Sequence, residues 1–558
     1  MNSSDHQTVN SITGARALVD ALLREGVDHV FGIPGTQNLA IIDVLRDTPQ
    51  IRFILTRHEQ GAAFMAYGFA RAALRPAVVT ATEGPGVTNL ATAIGAAYRG
   101  LVPVISVCGV QESSMRERDA TQDMDQVAFM RPITKWAHSI PNVQKVQESV
   151  RKAFRVALTE PQGPTHIEAA SEILLEQTAT EAVAPAAYRN TVLPSCSSAQ
   201  LDQAFALLAG AERPVFVVGR GVISEAATDA MAALAERTAI PVGALQYSPD
   251  AFPSSHPLAL GPLGRNGFGS ANCVVPKADV IIAVGAHLDV FSTMHKYGIF
   301  SEQAKLVHHS AAPGQIGIVF PVALGVTGST LSFIAGLSER AAKAGLRKPW
   351  VDVAKARADW ERELQGAVRH EAEPIQSQFV AHMIRKVLPR NGLLVVDAGN
   401  GGKHVRSYFK SYAPGTFMCI DDWASVGGSF PIALGAKLAR PDRPVLCASG
   451  DMGAMCNIGE LETAMRENIP VVYVVFNDQG LGNERAFQNE HYGGRFYAVD
   501  YQNPDFGSLA RIFGGHGEHV TQPGDLEDAL HRAFASGKPA IVDVMIDQRT
   551  LAPVVYKP

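Results

Sequence analysis

The sequence predicts an α/β protein of three doubly wound domains with mainly parallel sheets. Three observations lead there. At 558 residues the chain is too long for one hydrophobic core and fits about three ordinary domains. Apolar, strand-like runs alternate with helical patterns three times over, the mark of parallel sheets with helical crossovers. Glycine turns follow apolar runs in every third of the chain, as in Gly32-Ile33-Pro34-Gly35, Gly219-Arg220-Gly221 and Gly450-Asp451-Met452-Gly453.

Composition shifts place the boundaries. The stretch from Thr178 to Ser198 is rich in Ala, Pro, Thr and Ser and reads as a linker, and a charged, helical connection runs from about Ser338 to Glu373. The expected domains are 1–180, 198–340 and 370–558. With 46% hydrophobic and 18% charged residues and a net charge of −5, the chain is an ordinary globular protein without a basic run. Nucleic acid and anionic membranes are therefore not expected partners. The start, Met1-Asn2-Ser3-Ser4-Asp5-His6, is polar, and no apolar run is long enough to span a bilayer, so a cytoplasmic location is expected. The six cysteines include no Cys-x-x-Cys pair and read as reduced, structural thiols rather than a zinc site.

The last third carries the sharpest chemical signal. Gly450-Asp451-Met452-Gly453 is followed by an amphipathic stretch and by the apolar run Val471 to Phe476, ending in Asn477-Asp478-Gln479-Gly480. Asp451 and Asp478 are separated by the length of one βαβ unit, which delivers both side chains to one sheet edge. A diphosphate at the helix start, with a hard cation between its oxygens and the two carboxylates, suits this arrangement. An ordinary Rossmann-like unit with a chance Gly-Asp is the plain alternative. A second candidate lies in the first third, where the buried run Ile51 to Thr56 leads into Arg57-His58-Glu59-Gln60 and a small-residue helix from Gly61 to Ala73. Glu59 there is either a first-turn acid favoured by the helix dipole or a desolvated carboxyl group held for proton transfer.

Together these segments resemble the Gly-Asp-Gly…Asn-Asn signature and the catalytic-glutamate segment of thiamine diphosphate (ThDP) enzymes. The chain as a whole is similar to the acetolactate synthase branch. Two positions depart from the signature: Met452 stands for its second glycine and Asp478 for an asparagine. The resemblance implies ThDP and magnesium as cofactors. It assigns Asp451, Asp478 and Gly480 to the metal, and Glu59 to the aminopyrimidine ring; His58 is a candidate proton relay because it adjoins Glu59, with a packing or hydrogen-bonding histidine as the alternative. It further implies cofactor contacts from Pro34 and Gly35, from Pro85 and Asn89 in Glu83-Gly84-Pro85-Gly86-Val87-Thr88-Asn89, and from Asn400. Val426 takes the apolar wedge position beside Gly427, and Gly450, Met452, Gly453, Leu481 and Gly482 complete the diphosphate loops. In the central domain, Pro262-Leu263-Gly264-Arg265-Asn266-Gly267 is similar to part of the branch's FAD site. The acids expected further on are replaced by Val307-His308-His309-Ser310, which weighs against FAD and for a structural domain.

The substrate end departs from acetolactate synthases, which carry an indole where Phe487 stands and a phenylalanine where Thr121 stands, next to Gln122. Gly482-x-Glu484-Arg485-x-x-Gln488, with Asp397-Ala398-Gly399-Asn400, resembles sulfoacetaldehyde acetyltransferase instead. On that likeness Glu484 is a candidate proton relay and Arg485 a candidate partner for an anionic group; a solvated loop pair is the alternative for both. His404 and His491 read as packing or hydrogen-bonding histidines. The implied activity is decarboxylation and carboligation of a 2-oxo acid such as pyruvate, with a C–C lyase or acetyltransferase as alternative and a catalytically silent homologue as a third possibility. The substrates would be small 2-oxo acids or aldehydes. The resemblance also implies a homodimer or homotetramer, with each site at a subunit interface.

Overall fold

The computed structural model describes residues 11–179, 182–190, 192–295, 298–344, 349–420 and 423–554. The polar start and parts of both connections (180, 181, 191 and 345–348) lie outside these residues. The chain forms two compact units. The first is Met1–Thr191 with Leu434–Arg440 and Asn457–Glu467, and the second is the remainder.

The first unit holds a six-stranded parallel sheet in the order Arg52–Leu55, His29–Gly32, Ala77–Ala81, Val104–Val110, Thr165–Ala170, Trp136–Ser139. A short antiparallel pair, Ser11–Thr13 with Gln177–Ala179, joins its two ends. The second unit holds two parallel sheets. The central one runs Ala259–Leu263, Val242–Leu245, Pro214–Val218, Val280–Val284, Lys305–Ser310, Leu324–Thr327. The last runs Phe417–Cys419, Leu393–Val396, Val445–Gly450, Val472–Asn477, Ala540–Met545, His516–Val520. The expectation of mainly parallel, doubly wound sheets is met.

The strands form where apolar residues run without a break because helices cover both faces of each sheet. In the last sheet Leu394, Val396, Leu446, Ala448, Val472, Val474, Phe476, Val542 and Val544 face one core with Phe379, Ile384 and Leu530. Alternate residues such as Leu393, Val395, Val475 and Ile541 are buried too. Each such side chain contributes about 1.5–3 kcal/mol by leaving water, so the sheet edges are rigidly placed. Numbered in chain order within each sheet, the first and last share the order 2-1-3-4-6-5, whereas the central sheet is 3-2-1-4-5-6. Each order reverses between two adjacent strands, and the crevice outside the carboxyl ends at that point is where such sheets hold ligands. In the first sheet this point lies between His29–Gly32 and Ala77–Ala81, and in the last between Leu393–Val396 and Val445–Gly450. The charged connection folds as two helices, Thr330–Ala344 and Val353–Ala367. No helix among the described residues is long and apolar enough to cross a membrane.

Candidate active site

In the first unit, Glu59 opens the helix Glu59–Ala73 directly after the strand end. Its Oε2 accepts a hydrogen bond from Asn89 Nδ2 at 2.9 Å, which brings together two residues singled out separately in the sequence. Asn89 lies on the helix Pro85–Arg99, whose N-cap Gly84 has φ +63°, a region glycine enters at no steric cost. A Cβ at Gly86 would lie 3.6 Å from Glu59 Oε1, so the glycine leaves this second oxygen approachable. His58 is the N-cap of the same helix: its Nδ1 accepts from Gln60 N at 3.1 Å and the residue is exposed. That ring nitrogen is engaged in holding the helix start, which fixes the neighbour of Glu59 rather than aiming a proton carrier at it. Pro34 is exposed, and Gly35 packs so closely on Thr82 that a Cβ would come within 2.4 Å. Thr121 and Gln122 are exposed, and Gln122 Oε1 accepts from Gln37 Nε2 at 3.2 Å.

Glu460 was not visible in the sequence as part of this arrangement. It is 1% exposed, and its carboxylate accepts from the backbone N–H groups of Arg57 and His58 (3.2 and 3.0 Å) and from Thr463 Oγ1 at 2.7 Å. A Cβ at Gly61 would sit 2.1 Å from Glu460 Oε1, so the small residue there admits the carboxylate. Burial raises the Glu460 pKa, against the pull of these donors.

In the second unit, Val445–Gly450 passes straight into the helix Asp451–Cys456, and Val472–Asn477 ends beside it. Asp451 is 1% exposed. Its Oδ1 accepts from Met452 N and from Tyr501 Oη, both at 2.8 Å, and its Oδ2 from Asn503 Nδ2 at 2.8 Å. The Tyr501 hydroxyl is also 2.9 Å from the carbonyl oxygen of Gly480, so one atom lies within 3 Å of two of the expected metal ligands. Burial raises the pKa of Asp451. Burial, and then the negative charge of Asp451, push Asp478 up to about 7. Two carboxylates and a carbonyl at one sheet edge are a hard-oxygen donor set, which fits magnesium. A Cβ at Gly482 would meet Asp478 Oδ2 at 2.7 Å, and one at Gly453 would meet Ser449 Oγ at 2.3 Å; both loops close only on glycine. The residues present therefore fit a cation-bound diphosphate.

Asp397, at the end of Leu393–Val396, is fully buried and ties these loops together. It accepts from Gly427 N at 3.1 Å, Ser429 Oγ at 2.6 Å and Ser449 Oγ at 3.3 Å, and burial pushes it up to about 6. Gly427, at φ +87°, packs against Cys456, while the neighbouring Val426 and Met452 are 45% and 42% exposed. Gly450 has open space where a Cβ would point. The Asn400 amide is engaged elsewhere, donating to Thr550 O at 2.9 Å and accepting from Ala552 N at 2.7 Å; it pins the C-terminal segment. His404, behind it, is buried and held neutral by that burial at about 4.

At the substrate end Leu481 N donates to Val499 O at 2.8 Å before the helix Gly482–His491. Glu484 is exposed, accepting from Asn483 at 3.0 Å. Arg485 is 7% exposed, pairs with Asp500 and stacks over Phe496 at 5.2 Å. Phe487 lies between the Lys403 ammonium (5.5 Å) and the His491 ring (5.7 Å).

Such sheet-edge carboxylates, one opening a helix and one with a hard-oxygen donor set beside it, belong with a cofactor-dependent α/β enzyme class. Three family models match in order: the thiamine pyrophosphate enzyme N-terminal TPP binding domain over residues 12–129, the central domain over 201–337 and the C-terminal TPP binding domain over 397–544. A probable acetolactate synthase large subunit of Methanocaldococcus jannaschii is 32% identical, covering 97% of this chain and 93% of its own. A sulfoacetaldehyde acetyltransferase of Alcaligenes xylosoxydans is 30% identical over 96% and 93%. Acetolactate synthase isozyme 1 large subunit of Escherichia coli is 30% identical over 98% and 96%. The chain belongs to the thiamine pyrophosphate enzyme family.

Proposed function

We propose that the protein is a ThDP- and magnesium-dependent decarboxylase and carboligase acting on a 2-oxo acid such as pyruvate, in the manner of acetolactate synthase. The observation that carries this reading is the convergence of Asp451 Oδ1 and Gly480 O on one point within 3 Å of the Tyr501 hydroxyl, beside the half-buried Asp478. Bound ThDP supplies a carbon nucleophile and an electron sink for the loss of CO2. Asp451, Asp478 and the Gly480 carbonyl hold the cation and so offset the diphosphate charge. Glu59, steadied by Asn89 at Oε2, would hold the aminopyrimidine ring of ThDP and supply a carboxyl group for proton transfer there. Asp397 fixes the loop that places Val426.

We read the protein as a cytoplasmic homodimer or homotetramer in which Glu59 of one copy serves Asp451 of another. The central domain is read as structural. His309 bridges Gly285 N and Gly328 O at 3.1 and 3.0 Å and stacks on Phe333 at 4.4 Å, where the branch would need ribose acceptors.

One observation favours a second reading, an acetyltransferase on a sulfonated aldehyde. Arg485, paired with Asp500, and Lys403 are both almost fully buried beside the aromatic rings of Phe496 and Phe487, a positively charged, aromatic surround in which an anionic substrate group could compete for Arg485. Incubation with pyruvate, ThDP and magnesium separates the readings. CO2 with acetolactate supports the first; acetyl phosphate with release of sulfite, when sulfoacetaldehyde and phosphate replace pyruvate, supports the second; and no turnover across a panel of 2-oxo acid and aldehyde donors leaves a non-catalytic scaffold.

A further inference from the structure

Residues 499–503 belong to no regular strand, yet they pair with the loop that carries the carbonyl of Gly480. Gly480 and Asp500 form an antiparallel bridge, flanked by Leu481 N to Val499 O at 2.8 Å and Tyr501 N to Gln479 O at 3.1 Å. This short arm sends two side chains into the cation site. The Tyr501 hydroxyl spans Asp451 Oδ1 and Gly480 O. Asn503 Nδ2 donates to Asp451 Oδ2 at 2.8 Å and to Asn477 Oδ1 at 3.1 Å.

The chain of bonds continues away from the site and has a fixed direction. Asn477 Nδ2 donates to Asp543 Oδ1 at 3.0 Å. The other Asp543 oxygen takes Phe506 N at 3.2 Å and His519 Nδ1 at 2.9 Å. Asp543 therefore acts as acceptor only, which turns the nitrogen of Asn477 toward it and leaves the oxygen of Asn477 facing Asn503. Asn503 must then present its nitrogen to both neighbours. Asp451 Oδ2 receives an amide donor as a result, and the carboxylate plane is set with Oδ1 toward Gly480 O.

We propose that Tyr501 and Asn503 are positioning residues for the cation, with Asp543 as the distant anchor that sets the polarity of the relay. This rests on the proposed cation role of Asp451. Tyr501 holds two ligand oxygens at a fixed separation, and Asn503 stops the Asp451 carboxylate from swinging, so ligands meet the cation already oriented. Neither residue needs to touch the cation or the substrate.

The test is Mn2+ binding to the full-length protein, followed by electron paramagnetic resonance at fixed pH with and without ThDP, beside thermal melting. Tyr501→Phe and Asn503→Leu should each raise the Mn2+ dissociation constant by roughly 10–100-fold. Asp543→Asn should raise it by a smaller factor, although it lies three side chains away. Activity of the Tyr501 and Asn503 variants should return at saturating cation, which a merely structural defect would not allow. Tyr501→Phe removes one oxygen atom and serves as the decisive variant if Asn503→Leu does not fold. If Asp451→Ala abolishes Mn2+ binding while Tyr501→Phe and Asn503→Leu bind within twofold of wild type, the positioning role is overturned and the site stands. If Asp451→Ala itself binds Mn2+ normally, the site assignment falls and this inference with it.

Discussion

The first and last sheets share one strand order, and at the same place in each a buried acid anchors a chain of hydrogen bonds leading to a candidate site. Glu168 is the fourth residue of Thr165–Ala170 and Asp543 the fourth of Ala540–Met545, on the strands that occupy the same position in the two sheets. Glu168 takes Gln126 Nε2 at 2.9 Å, and Gln126 Oε1 takes Gly84 N at 2.9 Å, just ahead of the helix that carries Asn89. Asp543 reaches Asp451 through Asn477 and Asn503. The surroundings of the two acids differ. Burial opposes ionisation of Glu168, but His166, Gln126 and Arg116 outweigh it and hold the carboxyl at about 2. Asp543 is raised by its burial, because only Asn477, His519 and one backbone N–H answer it. One scaffold thus supports a strongly ionised, cation-flanked clamp in one sheet and an amide-linked relay in the other. The clamp places a glycine turn, whereas the relay orients a ligand atom.

The largest effect belongs to Asp451. Asp451→Ala should abolish magnesium-dependent ThDP binding, because a diphosphate in a closed site needs its charge offset; isothermal calorimetry measures this, and unchanged affinity would place the diphosphate elsewhere. Glu59→Gln should leave much of that binding intact while slowing hydrogen–deuterium exchange at the thiazolium C2, followed by NMR, by roughly 10²–10⁴-fold. Wild-type exchange would remove Glu59 from its role.

Next in size is the clamp itself. Glu168→Gln removes a carboxylate that helps keep buried His166 charged, so His166 should turn neutral and the clamp should loosen by about 1–3 kcal/mol, read by hydrogen exchange of the Thr165–Ala170 amides. The pH dependence has a definite sign. Burial lowers the His166 pKa, but neighbouring Cys108 and the Glu168 carboxylate, 3.5 Å from Nε2, outweigh it and raise it to about 9. Its contribution is complete below about 6.5 and is lost as the pH rises through about 9. The contribution of Glu168, whose pKa is depressed, is present above its ordinary value of 4.5 and is lost as the pH falls toward about 2. The alkaline decline should vanish in Glu168→Gln, and a variant that keeps it would separate the pair. The smallest effect belongs to Asp478→Asn, which keeps an oxygen ligand and should change ThDP affinity by less than about tenfold, again by calorimetry.

What the sequence made legible follows from locality. Strands buried on both faces read as unbroken apolar runs, and Asp451, Asp478 and Glu59 are marked by standing directly at strand ends. Partners that act across long separations leave no such mark. Tyr501 and Asn503 sit in a polar loop without periodicity, and nothing near Glu460 shows that its carboxylate caps the backbone of Arg57 and His58. Asp397 also lies at a strand end, but only its bonds to Gly427, Ser429 and Ser449 in the fold reveal its place as a hub. His58 and Asn400 show the converse. Both stand beside the chemistry in sequence, yet one caps a helix and the other secures the C-terminal segment, uses that only the folded backbone defines.

The claim that both sheets serve one reaction is tested most directly by mixing. Glu59→Gln and Asp451→Ala proteins, each inactive alone, are combined under conditions of subunit exchange, and C2 exchange of ThDP is measured. A mixed dimer contains one site with both residues intact, so exchange should reappear; verified subunit exchange without any recovery would mean that each chain builds its site alone.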